Sequence, residues 1–257
     1  MAKERGGGPR DKTVAIHGAH PALAALTNPR RHIRAVYVTR EAWSRLGSSL
    51  DDACTAAGIR PTPVQRETLH RHVPPHAAHQ DIAVLADPLP APGIDAILDR
   101  HDERAPLTLL ALDQVTDPQN VGAALRAAAV FGAAAVITTK RNAPPESGAL
   151  AKAASGGLDH VPWVRETNLA RTLDTLREAD IFTAGLAGDG ETALPTVPGG
   201  RTAIVLGAEG AGLRRLTRER VDALARIPAP GPMPDLNVAT AAAVALYEIG
   251  PRRAAWS

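Results

Sequence analysis

The sequence predicts an α/β protein of two parts, a small α/β unit followed by a larger unit built on a parallel sheet. Three observations predict it. Apolar runs of strand length alternate with helix-compatible stretches, and from residue 108 onward they follow the order strand, loop, helix, strand that a parallel sheet requires. The segment DPLPAPG, 87–93, packs three prolines and a glycine into seven residues, which is the composition of a boundary. The 257 residues, 44% hydrophobic and 22% charged, are a globular composition long enough for one large or two ordinary domains.

The elements follow in order. MAKERGGGPRDK, 1–12, is basic and glycine-rich with no apolar run behind it, so it reads as a disordered tail and not a secretory signal. Within 13–88, VAIHG opens the unit, and a helix over 21–26 ends at Asn28-Pro29, where proline blocks continuation. A strand at 35–39 precedes one helix near 41–57, which Gly58 terminates, and IAVLA at 82–86 is a further strand. Residues 89–105 read as a linker with a short helical connector. Over 106–252, strands are expected at 108–113, 133–139, 181–185 and 202–207. The last helix, NVATAAAVALYEI, is small and apolar nearly throughout, so burial on most sides is expected.

Composition excludes several classes. Cys54 is the only cysteine, so neither an internal disulfide nor a four-thiolate zinc site can form, and a reducing, cytoplasmic compartment is expected. No apolar run approaches the ~18 residues of a spanning helix, so no membrane partner is expected. The net charge is only +2, but residues 1–40 hold eight Lys or Arg against two acids. Arg30, Arg31 and Arg34 in this basic leading segment suit phosphate binding, or else a solvated face. Aromatics, at 3%, are too few for a platform that stacks unpaired bases.

Three loops carry the chemistry. In LDQVTDPQNVGAALRAAAVFG, 112–132, Asp117 reads as a helix cap, Pro118 as the first helical position and Gly122 as a site of close packing. Arg126 is the only charged side chain between Asp117 and Lys140, so its guanidinium must be paired, reach solvent, or face an anionic ligand. Asn120 offers a ligand an oriented amide or helps the cap. In IVLGAEGAGLRRLT, 204–217, Gly207, Gly210 and Gly212 imply a backbone path that side chains would obstruct, because a ligand or another chain segment comes close. The spacing G-x-x-G-x-G is neither the dinucleotide-binding fingerprint nor a Walker loop, and Glu209 is the expected partner of Arg126. In IPAPGPMPDLNVATAAAVALYE, 227–248, four prolines lead to Asp235 at the expected cap position, with Asn237 in the first turn.

Together these segments resemble the SpoU/TrmH family of the SPOUT superfamily, RNA ribose 2′-O-methyltransferases that use S-adenosylmethionine. The match runs over about 14–249. IHGAHPALAALTNPRRHIRAVYVT and AHQDIAVLADPLP resemble its L30e-like substrate-binding domain, and the stretch 151–178 resembles the segment between motifs. The resemblance implies a parallel-sheet SPOUT domain with a C-terminal trefoil knot and a homodimer with each site at the interface. It implies cofactor contacts at Gly207, Ile227 and Leu236, and motif polar residues Asn120, Arg126, Glu209 and Asn237. A guanosine of 23S ribosomal RNA is the first substrate expectation. A tRNA ribose, or RNA binding with weakened catalysis, is the alternative. One departure stands out: Asp235 and Ala239 occupy positions where the family usually has serines. Asp235 would cap the helix, accept a proton in the serine's place, or mark altered activity.

For methyl transfer to a 2′-hydroxyl the tasks are orientation and proton removal. Arg126 is the expected central catalytic residue, holding the target phosphate and stabilising the developing alkoxide, with Asn120, Glu209 and Asn237 positioning it and the ribose, whereas the resemblance implies this arginine as the general base. A guanidinium keeps its proton up to a pH above ~12, so the general base is left unassigned. His70, His72, His76 and His79 lack the cysteines and acids that would complete a metal shell, so no metal is expected and they read as solvated or RNA-facing. Trp43, Trp163 and Trp256 read as packing or interface residues.

Overall fold

The computed structural model describes residues 13–74, 77–233 and 236–250. The expectations for the tail 1–12, His76, Asp235 and Trp256 lie outside the described residues. Contacts divide the chain into two compact units between Leu89 and Pro90.

The first unit runs β1 (Val14–His17), α1 (Ala19–Thr27), β2 (Ile33–Val38), α2 (Arg40–Leu46), α3 (Ser48–Ala56), β3 (Thr62–Pro63), α4 (Arg66–Leu69) and β4 (Ile82–Ala86). Among the described residues its sheet has four strands in the order β1-β4-β2-β3, antiparallel except where β3 joins β2. Ile16, Val36, Val38, Ile82 and Val84 of the sheet and Ala22, Ala25 and Leu26 of α1 are buried. The single helix expected over 41–57 is two helices, because Gly47 takes φ +53°, a conformation that α-helix does not contain. Trp43 holds the break by donating from Nε1 to Asp51 Oδ1 at 2.8 Å.

The second unit runs α5 (Ile94–Leu98), β5 (Leu107–Asp113), α6 (Pro118–Phe131), β6 (Ala135–Thr139), α7 (Gly148–Ala154), α8 (Gly157–His160), β7 (Trp163–Glu166), α9 (Leu169–Glu178), β8 (Phe182–Leu186), β9 (Thr192–Ala193), β10 (Arg201–Gly207), α10 (Arg215–Arg220), β11 (Ala223–Arg226) and α11 (Val238–Ile249). Among the described residues the sheet has seven strands in the order β7-β6-β5-β10-β8-β11-β9, every pair parallel. Both faces are covered, so β5 is buried along its whole length, as its apolar run requires. Inside the 89–105 stretch read as a linker, α5 sends Ile94 and Ile97 into the core with Leu107, Leu109 and Val164. Helices α6 and α7 approach closely at Gly122, where a Cβ would stand 2.5 Å from the Leu150 carbonyl oxygen. Burial of α11 is less complete than its composition implied: Thr240, Val244 and Tyr247 form an exposed stripe. No described helix is long and apolar enough to cross a membrane.

Two carboxylates of the first unit are held by arginines. Arg66 donates to Asp81 through Nε at 2.9 Å and Nη2 at 2.5 Å, and Arg34 donates to Asp87 through Nε at 2.7 Å and Nη2 at 3.1 Å. Both acids fall below the ordinary 3.8 of aspartate: Asp81 through the Arg66 hydrogen bond, Asp87 through those of Arg34 and then His32. Such a shift contributes stability that is complete above the unfolded value and lost as pH falls through the folded one. Acidification below 3.8 is therefore expected to lower the melting temperature progressively. Melts of Asp81→Asn across the acid range, followed by circular dichroism, should show a flatter dependence.

Candidate active site

The site lies at the C-terminal edge of the parallel sheet, where strand ends hand over to loops. At the end of β5, Gln114 turns at φ +63°, and Asp117 caps α6 by accepting from Gln119 N at 3.0 Å. That cap puts Asn120 in the first turn. At the end of β10 the chain folds back on itself, with Gly212 N donating to Ala208 O at 2.8 Å. Gly207 has no room for a side chain, since a Cβ would stand 2.0 Å from the Gly212 carbonyl carbon. Gly210 and Gly212 take φ +73° and +64°, which glycine adopts at no steric cost. The turn presents Glu209 at its apex. Of the two reasons expected for the glycines, the close approach of another chain segment is the one seen at Gly207.

Asn237, expected in the first turn, caps α11: its Oδ1 accepts from Ala239 N at 2.9 Å and Thr240 N at 3.3 Å. This fixes the amide's orientation, leaving Nδ2 to donate to Glu209 Oε1 at 2.5 Å and Asn120 Oδ1 at 2.9 Å. Asn120 Nδ2 in turn donates to Glu209 Oε1 at 3.2 Å. Asn120, Glu209 and Asn237 are thereby one hydrogen-bonded group.

Arg126 is not paired with Glu209. It stands six residues beyond Asn120, about 9 Å along α6, and the carboxylate is taken by the two amides. Its side chain is exposed and makes no hydrogen bond or ion pair with another described residue. It lines an open groove with Asn120, Asn237 and Thr240. Gly157 packs against α6 here: a Cβ on it would stand 2.8 Å from Arg126 Cα.

Gly207, Ile227 and Leu236 line one cavity, which partly encloses about 200 Å³ before opening to solvent, together with Glu209, Leu186 and Val238. Glu209 thus belongs both to the cavity wall and to the amide group of the groove. Asp113 escaped the sequence reading. Fully buried, it accepts from Arg214 N at 3.1 Å, Arg214 Nε at 2.7 Å and Thr217 Oγ1 at 2.6 Å, anchoring the chain just beyond the glycine turn to β5. The available signal was a lone acid closing an otherwise apolar strand, LTLLALD.

The three arginines of the leading segment differ in role. Arg30 is exposed, whereas Arg31 is only 6% exposed and donates from Nη1 to Asp87 O at 3.2 Å. Arg34 is committed to Asp87. The histidines are not simply solvated: His79 is buried and accepts from Asp81 N at 2.9 Å, and His72 stacks on Tyr37 at 4.0 Å. Among the described residues no group of three His, Cys, Asp or Glu could hold a metal ion.

Residues 108–247 match the family described as SpoU rRNA Methylase, and residues 15–92 match the family described as RNA 2′-O ribose methyltransferase substrate binding. The chain belongs to the SpoU rRNA methylase family. This SpoU-family chain is 38% identical over 239 residues to the 23S rRNA (guanosine-2′-O-)-methyltransferase RlmB of Ralstonia nicotianae, covering 92% of this chain and 95% of that one. It is 40% identical over 246 residues to RlmB of Vibrio parahaemolyticus, covering 93% and 97%. Among solved structures it resembles the SpoU methyltransferase AviRb of Streptomyces viridochromogenes in complex with AdoMet, with a TM-score of 0.77 at 22% identity, covering 96% and 94%.

Two substitutions at Asn237 separate its two duties. Asn237→Ala is expected to lower stability by about 1 kcal/mol through loss of the cap. Asn237→Asp is expected to keep the cap while setting a second carboxylate beside Glu209. Thermal unfolding together with ligand affinity at the cavity checks both, with the Asp variant nearer the parent in stability but not in affinity.

Proposed function

We propose that this chain is an S-adenosylmethionine-dependent RNA ribose 2′-O-methyltransferase whose substrate is a guanosine of 23S ribosomal RNA, working in the cytoplasm. The observation that carries the reading is Glu209, which joins the cavity wall to the amide pair of the groove where Arg126 is exposed. Support for the substrate comes from the RlmB relatives, which align with more than nine-tenths of the chain.

The cavity suits the cofactor. Glycines 207, 210 and 212 present backbone, Leu186, Ile227 and Leu236 supply apolar walls, and the Glu209 carboxylate complements a positive charge. The cofactor supplies an electrophilic methyl group. The protein's own task is to bring a ribose hydroxyl to it. Asn120 and Asn237, locked to each other and to Glu209, stay fixed while the ribose is oriented. The exposed guanidinium of Arg126 binds the target's phosphate and stabilises negative charge on the 2′-oxygen as its proton leaves. A requirement for that hydroxyl selects RNA over DNA.

Two finer features belong to this reading. The C-terminal trefoil knot is supported by α11, which follows β11 near one edge of the sheet yet packs on β5, β10 and α6. The homodimer is supported by an apolar face on α6 and α11, where Val130, Val244 and Tyr247 are 57%, 37% and 58% exposed and Phe131 meets Tyr247 edge-on at 6.0 Å. The four-stranded first unit is read as the L30e-like substrate-binding domain, with the exposed Arg30 as its candidate for phosphate.

Arg126→Ala is expected to reduce methyl transfer from labelled cofactor to 23S ribosomal RNA by roughly 100-fold or more, with folding and cofactor affinity retained. Near-normal turnover refutes the assignment, and reverse-transcription stops in 23S and transfer RNA identify the RNA class. Tyr247→Asp is expected to shift the protein from dimer to monomer in sedimentation.

A further inference from the structure

Most arginines at the α9–α10 side of the second unit are already matched to acids. Arg177 pairs with Asp222 at 3.1 Å, Arg214 with Asp113 at 2.7 Å, Arg215 with Glu219 at 2.6 Å and Arg218 with Asp189 at 2.8 Å. Lys140 and Arg141 differ. Both are exposed, and neither side chain makes a hydrogen bond or ion pair with another described residue. Glu146, the acid of the same loop, has a partner of its own.

Their position is defined by the sheet. They leave the C-terminal end of β6, which runs in register beside β5 with Thr138 opposite Leu112, so they emerge next to the segment that leads to Asn120 and Arg126. The backbone holds them there, with Lys140 N donating to Glu166 O at 2.7 Å. Asn142 donates from Nδ2 to Gln114 Oε1, tying the β6–α7 loop to the β5–α6 loop. Gln114 itself holds φ +63°, strained for a side chain of its size, and such strain collects at functional sites. The cavity occupies the other part of the edge, over β10, β8 and β11. The edge beyond β6 therefore carries the exposed positive charge of Lys140 and Arg141, neither of which lines that cavity.

We infer that Lys140 and Arg141 form a phosphate-binding track for RNA, continuous with Arg126, which holds the backbone next to the nucleotide being modified. Two unpaired cations held on tied loops suit a polyanion, because each neutralised phosphate releases condensed counterions. A contact of this kind contributes affinity and register without reading sequence. The inference rests on the methyltransferase reading of the same site.

The test is the salt dependence of binding to protein-free 23S ribosomal RNA, measured by filter retention for the parent and for the double variant Lys140→Ala/Arg141→Ala. The double variant is expected to bind about tenfold more weakly, with the slope of log affinity against log salt lower by about one to two. Cofactor affinity by calorimetry stays at the parent value. Lys140→Arg/Arg141→Lys keeps the charge and restores the slope, while Arg215→Ala, already neutralised by Glu219, leaves it unchanged. An unchanged slope in the double variant overturns the track and leaves the methyltransferase reading standing. A parent protein that neither binds the RNA nor transfers methyl overturns both.

Discussion

The Glu209 carboxylate accepts from two asparagine amides that reach it from the N-terminal turns of α6 and α11, and the geometry of the site follows from that meeting. Both helices direct the positive ends of their dipoles toward it, which favours a negative charge at this point. The carboxylate can be there only because the turn carrying it folds back tightly over Gly207, where no side chain fits. Asp113 completes the constraint. A buried acid with three donors from the stretch 214–217 keeps the far end of that turn against β5, and removing it would leave those donors unsatisfied.

Charge is distributed to the same end. Surface ion pairs contribute little stability each, but a paired arginine also contributes little field. Arg177, Arg215 and Arg218 are matched to acids, whereas the exposed Arg126, Lys140 and Arg141 make no ion pair with another described residue.

Much of the fold was legible along the chain. The apolar runs at 82–86, 108–113 and 202–207 are strands at or within one residue of the positions they predicted, because a strand buried along most of its length, whether the antiparallel β4 or the parallel β5 and β10, announces itself as continuous hydrophobicity. Proline and glycine chemistry read less evenly. Asp117 and Pro118 start α6 as their types require, but Gly47 breaks a helix that composition alone ran straight through, since only its positive φ distinguishes it from a tolerated glycine. Asn237 caps α11 where the sequence placed it in the first turn, because Asn is a good cap and periodicity does not fix a helix start to the residue. Arg31 looked like its neighbours, and its burial depends on a carbonyl 56 residues away.

The sequence by itself determined which residue types were on hand: strands that must be buried, glycines that imply close approach, and a small set of polar side chains in three loops, each open to more than one role. Those are local properties, set by each residue's own conformational range and its neighbours' hydrophobicity. Only the tertiary structure decided the partners. Glu209 lies 89 positions from Asn120, and Asn237 lies 117 from it, so which of Arg126, Asn120 or Asn237 would take the carboxylate depended on strand order, helix entry angle and the 9 Å or so of helix separating Arg126 from Asn120. Hydrogen bonds act over about 3 Å, and no one-dimensional pattern resolves that distance.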